Sequence, residues 1–210
     1  MKVLVINGSP RKEGNTKIAL GIMKDELTKL GIEIEELHVG SKINGCLGCM
    51  KCAEMLNETC IIKNDIVNEA VQKIIESDGV ILSSPTYYAN ISGTMKSFLD
   101  RVFFVAGVNG GLFRHKVGAS ISSVRRAGAV ETINALDKYF TISEMFISTS
   151  TYWNMIYGAA PGEVLEDEEG IQTVRILAKN MGFLLKSLDL GKKAGLVPEK
   201  EEKIMTNFIR

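Results

Sequence analysis

Proline, low-complexity sequence and net charge are all scarce in this chain. Four prolines are spread over 210 residues, and no Pro-rich or Ser-rich segment separates two parts, which is typical of one compact domain. The 25 basic and 25 acidic residues cancel. A chain without net charge has no overall field that attracts nucleic acid or an anionic membrane surface, so we expect neither as a partner.

Long apolar runs are also missing. No run approaches the roughly 18 residues that a membrane helix needs. The apolar start of the chain, residues 1–7, is broken by Asn7, Pro10 and charged residues too early for a signal peptide. We therefore expect a soluble, cytoplasmic protein, in which structural disulfides are rare.

Apolar periodicity predicts an alternation of strands and helices in a single domain, residues 1–210. Strands are predicted at 2–7, 32–39, 79–84, 117–122 and 145–150, and helices at 16–30, 65–76, from 92, at 130–140 and around 171–188. Helical crossovers produce a parallel sheet with helices on both faces, and five strands fit the doubly wound order 2-1-3-4-5. Ligands of such α/β sheets bind beyond the carboxyl ends of the strands.

The loop after the first strand, residues 8–16, has the composition of a phosphate site. Its glycines let the backbone approach a ligand, the following helix N-terminus attracts an anion, and polar groups come from Ser9, Arg11, Asn15 and Thr16. Asn15 stands where an ATP-binding P-loop has lysine, and Gly-x-Gly-x-x-Gly is absent. The alternative interpretation is that Thr16 merely caps the helix and Arg11 is a solvated charge.

Two further loops follow the third and fourth strands. Residues 85–91 combine aromatic rings with hydroxyl and amide groups, which suits a flat ring edged with heteroatoms such as isoalloxazine: Pro85, Thr86, Tyr87, Tyr88 and Asn90. The alternative is a tight turn whose tyrosines simply pack. In residues 123–128, Ser123 and Gly128 are the candidates for closing the other side of such a site.

These residues together resemble the NADPH-dependent FMN reductases and the related iron-sulfur flavoproteins, which are flavodoxin-like. The first loop is similar to the Gly-Ser-Pro-Arg phosphate motif of the family. Pro85-Thr86-Tyr87, followed by Gly93 and Lys96, is similar to its ring-binding loop and the helix after it. The segment Tyr152-Trp153-Asn154, with Glu169-Gly170 and Gln172-Thr173, is similar to a stretch of the cysteine-bearing branch.

The resemblance implies bound FMN, with its phosphate on the four polar residues of the first loop and its ring among the five residues of the second. It also implies NADH or NADPH as the electron donor, a small-molecule or protein acceptor, and a homodimer or a tetramer of dimers. No catalytic base or nucleophile is assigned, because in such proteins the flavin performs the chemistry. The sequence does not distinguish NADH from NADPH.

All four cysteines fall in one loop, residues 44–62, with the spacing Cys46-x2-Cys49-x2-Cys52-x7-Cys60. Close Cys-x2-Cys spacing suits a cubane iron-sulfur cluster, and the pattern resembles the compact motif of the iron-sulfur flavoproteins. Zinc, a redox-active dithiol and unused free thiols are the alternatives. With a 4Fe-4S cluster, the alternative function is an electron carrier that receives electrons from a ferredoxin-like donor and passes them to FMN. A third hypothesis is a ligand sensor without turnover.

Overall fold

The computed structural model describes residues 1–206 and Phe208, so the last part of the predicted domain, Asn207, Ile209 and Arg210, lies outside the described residues. The strands are β1 (Lys2–Asn7), β2 (Glu33–His38), β3 (Gly79–Pro85), β4 (Val117–Val124), β5 (Phe146–Ile147) and β6 (Met155–Tyr157). The helices are α1 (Asn15–Lys29), α2 (Lys51–Met55), α3 (Val67–Ile75), α4 (Gly93–Val108), α5 (Ala129–Ile142) and α6 (Glu168–Lys193), with a 3-10 turn at Glu163–Leu165.

The strands form one parallel sheet in the order β2-β1-β3-β4-β5, with β6 also paired to β4. The predicted doubly wound order is therefore confirmed. At the carboxyl ends, Asn7 pairs with both His38 and Ser83, while Pro85 pairs with Ser123. The ends of β1 to β4 thus share one edge of the sheet, and the loops that follow β1, β3 and β4 start there.

The core has two halves, one on each face of the sheet. Along β1, Leu4 and Ile6 point to the half formed with α3, α4 and α5, whereas Val3 and Val5 point to the half formed with α1 and α6. This alternation follows from the period of two in a strand, and burial on both faces explains why β1 reads as a continuous apolar run. Helices on both faces were predicted and are confirmed.

The predicted fifth strand, residues 145–150, is wrong in its extent. Only Phe146 and Ile147 form β5, and the position beside β4 is completed by β6, which sequence reasoning missed. Between the two strands the chain turns to α6 instead: the Ser150 hydroxyl donates to Thr173 O at 2.6 Å, and Asn180 Nδ2 donates to Thr149 O at 2.8 Å. Short polar residues that bond to a helix in this way leave the sheet ladder.

Smaller corrections concern the loops. β3 and β4 run further than predicted, so Pro85 and Ser123 are strand residues rather than loop residues. The short helix α2 lies inside the cysteine loop and was not predicted. Within the part of the chain that the structure describes, no helix combines the length and apolarity needed to cross a membrane.

Candidate functional site

The three predicted loops meet at the carboxyl edge of the sheet. Gly8 N donates to Ser83 O at 2.9 Å, which joins the first loop to β3. The Ser92 hydroxyl, at the N-cap of α4, donates to Gly8 O at 2.8 Å. Thr86 N donates to Ser123 O at 3.0 Å, which joins the second loop to the end of β4. The fold therefore brings the three loops side by side, as expected from the strand order.

The first loop is shaped by its own short side chains. A Cβ at Gly8 would lie 2.5 Å from both Ser83 O and Met95 Sδ, so only glycine fits. Asn7 Oδ1 accepts from Ser9 N at 3.0 Å, and the Ser9 hydroxyl accepts from Arg11 N at 3.2 Å. Ser9 is buried, whereas the Arg11 side chain is exposed at the mouth of the loop. The backbone of the loop is thus fixed without using the guanidinium of Arg11.

The N-terminus of α1 has no side-chain cap. Gly14 is the N-cap residue, and Thr16 is the second residue of the helix and is buried. The interpretation of Thr16 as a simple cap is therefore wrong. An N-terminus without a side-chain cap keeps backbone N–H groups for an anion, which fits a phosphate group. The roles of Ser9, Arg11 and Thr16 as phosphate ligands stay predictions.

Asn15 has a second role that sequence reasoning missed. Its Nδ2 donates to Ala160 O at 2.9 Å and its Oδ1 accepts from Gly162 N at 2.8 Å. The loop that contains Ala160 and Gly162 is also held by Glu163, whose Oε2 accepts from Ala159 N at 2.6 Å and from Ala160 N at 2.8 Å. Residues 158–162 therefore form a fourth segment beside the phosphate loop. Whether Asn15 also contacts phosphate stays a prediction.

The second loop is a tight turn with exposed rings. Tyr87 and Asn90 exchange two backbone hydrogen bonds, 2.8 and 3.0 Å long, around Tyr88 and Ala89. Both central residues have positive φ, 48° and 56°, as in a two-residue type I′ turn. The tight turn of the alternative interpretation is thus present, but Tyr88 is fully exposed and Tyr87 is 46% exposed, so neither ring is buried in the protein. Both rings remain available to a flat ligand.

Close contacts lock the second loop to the third. Gly128 adopts φ 90°, and a Cβ there would lie 2.8 Å from Ala89 Cα, which accounts for glycine at this position. The Thr86 hydroxyl bonds to the hydroxyls of Ser122 at 2.8 Å and Thr132 at 3.0 Å. The Thr86 hydroxyl therefore forms its hydrogen bonds with other side chains of the protein. The ring contacts predicted for Pro85, Thr86, Tyr87, Tyr88 and Asn90 stay untested.

Two buried oxygens at this edge have no hydrogen-bond partner in the described part of the chain. They are Ser123 Oγ, at the end of β4, and Asn154 Oδ1, just before β6. Each residue is less than 10% exposed, and Ser122 N donates to Asn154 O at 3.0 Å. An unpaired buried polar atom costs about 1–3 kcal/mol, so such atoms point to ligand groups. They fit the polar edge of a flavin ring. Ser123 was predicted, whereas Asn154 was not singled out.

The four cysteines line one pocket on the α4 side of the sheet. Leu47, Ile61 and Phe104 also line it. Cys46 and Cys49 are exposed, Cys60 is half-buried and Cys52 is buried, which raises the pKa of its thiol. Cys46 and Cys60, which are 14 positions apart in sequence, therefore line the same pocket.

A buried arginine lies behind these thiols. Arg101, on α4, is 1% exposed and donates to Cys60 Sγ from Nε and from Nη2, both at 3.4 Å. It also forms an ion pair with Asp65. Burial opposes the charge of Arg101, but hydrogen bonds with Asp65 and Cys60 outweigh it and raise the pKa of the guanidinium. Sequence reasoning missed both residues, because nothing local pairs positions 65 and 101.

The cysteine pocket fits a metal cluster by its donors rather than by its geometry. In the stretch from residue 1 to residue 206 and at Phe208, no group of three or more His, Cys, Asp or Glu side chains is arranged to hold a metal ion. The donor set itself, four thiols around one pocket with N–H groups on one sulfur, is the set that an iron-sulfur cluster takes. The cluster and its ligands Cys46, Cys49, Cys52 and Cys60 stay predictions.

Comparison with known proteins adds a family and a fold. A model of the family described as NADPH-dependent FMN reductase matches residues 1–159. An iron-sulfur flavoprotein of Methanocaldococcus jannaschii is 34% identical over 194 residues, 89% of this chain and 98% of that protein. RosB with a bound intermediate, 8-demethyl-8-formylriboflavin-5'-phosphate, superposes with a TM-score of 0.70 at 15% identity, covering 99% of this chain and 92% of RosB. A flavodoxin from the domain Archaea gives 0.58 at 14% identity, covering 89% and 99%. The predicted flavodoxin-like fold is thereby confirmed.

Proposed function

This chain belongs to the family of NADPH-dependent FMN reductases, and from that premise we propose that it oxidises NADH or NADPH and reduces a second substrate through bound FMN. Membership of the family makes it a flavin oxidoreductase. Our proposal adds the electron donor, NADH or NADPH, and an electron acceptor that is a quinone, a free flavin or a metal ion. The observation that carries it is the carboxyl edge, where the loops after β1, β3 and β4 meet and two buried oxygens have no partner among the described residues.

Each part of that edge has a proposed role. The N-terminus of α1 binds the FMN phosphate together with the side chains of Ser9, Arg11 and Thr16. The ring lies between the turn at Tyr87 and the buried oxygens of Ser123 and Asn154. When bound, FMN supplies the ability to take a hydride from a nicotinamide and to pass electrons on. The protein supplies position, exclusion of water and hydrogen bonds.

The test is a spectrum of the purified protein followed by anaerobic addition of nicotinamide nucleotide. We expect about one FMN per chain and loss of the flavin absorbance with NADH, NADPH or both. A protein that carries no flavin and takes up none from solution would contradict the proposal. Comparing the two donors at equal concentration decides the nicotinamide preference.

A second candidate function is an electron carrier in which a 4Fe-4S cluster feeds FMN. The four cysteines around one pocket favour it, as does the name of the relative from Methanocaldococcus jannaschii. Anaerobic iron and sulfide analysis separates the two functions. Four iron atoms per chain with no bleaching by either nicotinamide support the carrier, and iron-free protein that bleaches supports the reductase.

We also propose, from the resemblance to the family, that the protein assembles as a homodimer or a tetramer of dimers and that it is cytoplasmic. Light scattering on the eluted FMN-loaded protein measures the assembly directly. A monomer at micromolar concentration would contradict it.

A further inference from the structure

Arg101 makes an unusually complete set of hydrogen bonds for a buried side chain. Its Nη1 donates to Asn44 O at 3.2 Å and to Asp65, and its Nη2 donates to Ile62 O at 3.1 Å and to Asp65 Oδ1 at 3.2 Å. Asn44 and Ile62 are the two ends of the cysteine loop. One side chain of α4 therefore ties both ends of the loop to the domain.

The remaining donor of Arg101, its Nε–H group, points at sulfur. Nε lies 3.4 Å from Cys60 Sγ, and Nη2, whose hydrogens also serve Ile62 O and Asp65, lies at the same distance, so one edge of the flat guanidinium faces this sulfur. A neutral thiol is a weak acceptor, whereas hydrogen bonds between charged groups are much stronger. The arrangement is therefore suited to a Cys60 sulfur that carries negative charge, as a metal-bound thiolate does.

The same guanidinium lies between a carboxylate and that sulfur. The Asp65 side chain is 6% exposed, and its carboxylate balances the charge of Arg101. A buried arginine without such a partner would carry a large desolvation penalty. The reduction potential of an iron-sulfur cluster depends on its net charge, on hydrogen bonds to its sulfurs and on exposure to solvent. The Asp65–Arg101 pair thus affects two of these quantities at Cys60, the local charge and the hydrogen bonds to sulfur.

We propose that Arg101 is the positioning residue of the cysteine site. It fixes the loop so that Cys46, Cys49, Cys52 and Cys60 surround one cluster, and the guanidinium edge that faces Cys60 stabilises the reduced, more negative form of that cluster. This inference rests on the iron-sulfur part of the proposed function. It does not depend on which compound donates or accepts electrons.

A charge series separates this role from simple support of the fold. Arg101→Gln with Asp65→Asn keeps the net charge of the pair but removes the cation from Cys60. Asp65→Asn alone keeps the cation and removes its counter-charge. Arg114→Gln is the matched control, since Arg114 is an ion-paired arginine bound to Glu144 and does not line the cysteine pocket.

The measurement is a one-electron reductive titration of the anaerobically reconstituted holoprotein with dithionite, followed by electron paramagnetic resonance and by iron and flavin content. At the potential where the wild-type cluster is half reduced, we expect the ratio of reduced to oxidised cluster to fall about tenfold in the double variant, the scale of one charge-assisted hydrogen bond. It should rise with Asp65→Asn and stay unchanged with Arg114→Gln. Loss of iron from the double variant at unchanged flavin content also supports the proposal.

Two outcomes would overturn it. If the double variant holds wild-type iron and gives the wild-type titration, Arg101 does not position or tune the cluster, and the iron-sulfur function stands without it. If wild-type protein binds FMN but no iron after reconstitution with iron and sulfide, the cluster is absent and this inference fails with it, while the flavin oxidoreductase stands.

Discussion

The proposed flavin edge, formed by the loops at residues 8–16, 85–91 and 123–128, and the cysteine pocket are built differently. The loops of the flavin edge are joined by backbone and hydroxyl hydrogen bonds, and their positions follow from the order of β1, β3 and β4. The cysteine pocket is held by side chains from distant elements: the buried Arg101 bonds to residues 36 to 57 positions away, and Asn68 and Asn109 bond to the backbone of the loop. Loss of one side chain should therefore leave the loop positions at the flavin edge unchanged, whereas loss of Arg101 should disturb the cysteine loop. Four predictions break or sharpen this contrast.

The largest effect is expected from Arg101→Met. Removing the guanidinium leaves Asp65 buried without a counter-charge, which costs about 3–5 kcal/mol in the free energy of unfolding. Urea denaturation measures it. The flavin content of the folded fraction should stay near wild type, because no flavin-edge hydrogen bond involves Arg101.

Arg101→Met combined with Asp65→Asn is the control for that loss. The double variant removes both charges, so most of the lost stability should return. A single variant within about 1 kcal/mol of wild type would show that the ion pair does not hold the pocket together.

Gly8→Ala should have the next largest effect, and at the other region. The new Cβ meets the backbone oxygen of Ser83 at 2.5 Å, so the first loop must move away from β3. Overpacking of this kind costs about 1–3 kcal/mol, which corresponds to roughly a 5- to 150-fold loss of FMN affinity if the shift falls on the phosphate loop. Fluorescence titration with FMN measures it.

Gly21→Ala is the matched control for Gly8→Ala. A Cβ at Gly21, on α1, would meet no atom within 4 Å, and alanine favours a helix. Unchanged FMN affinity and slightly higher stability are expected. Equal losses in the two variants would mean that the effect is not local to the phosphate loop.

Ser123→Ala should weaken FMN binding about tenfold without destabilising the free protein. The hydroxyl is buried and has no partner in the described chain, so its loss removes a ligand contact only. Ser120→Ala is the comparison on the same strand, since Ser120 is also buried but its hydroxyl lies beside Asp137, away from the carboxyl end of β4. If the two variants bind FMN equally well, Ser123 does not contact the flavin.

The smallest effect concerns Asp137, a carboxylate of α5 that belongs to neither region. Burial raises the pKa of Asp137, and the Ser120 hydroxyl offsets this only in part. Because the pKa is raised in the folded state, the charged form destabilises the protein at neutral pH, and the penalty disappears as the pH falls through the folded pKa. Asp137→Asn should therefore stabilise the protein at pH 7 and leave its stability unchanged below the usual carboxyl pKa.

Thermal unfolding at several pH values measures the Asp137 effect. Asp189→Asn is the control, because the Asp189 carboxylate on α6 is 40% exposed and pairs with the solvent-exposed Lys193, so the change should alter stability by less than about 0.5 kcal/mol at any pH. A pH-independent gain in Asp137→Asn would contradict the raised pKa. Neither variant should alter flavin or iron content.

Sequence reasoning succeeded where local patterns decide the structure. Strands such as β1 are continuous apolar runs, and the predicted helix 16–30 differs from α1 by one residue at each end. The position of the three loops followed from the strand order alone. This is why the flavin edge could be located before any side-chain contact was known.

The parts that escaped prediction depend on contacts between distant residues. The split between β5 and β6 results from bonds of Ser150 and Thr149 to α6. The tether of Asn15 to Gly162 joins residues 147 positions apart, and the pair of Asp65 with Arg101 has no local signature. Spacing identified the four cysteines as a group, but not the arginine behind them.

One measurement tests most directly whether the two regions are separate sites: FMN binding by wild-type protein and by the variant in which Cys46, Cys49, Cys52 and Cys60 are all serine. We expect about one FMN per chain, with similar affinity, in both proteins, because the hydrogen bonds that join the loops of the flavin edge do not involve the cysteines. Absence of FMN binding in the wild-type protein, or its loss in the folded serine variant, would contradict this.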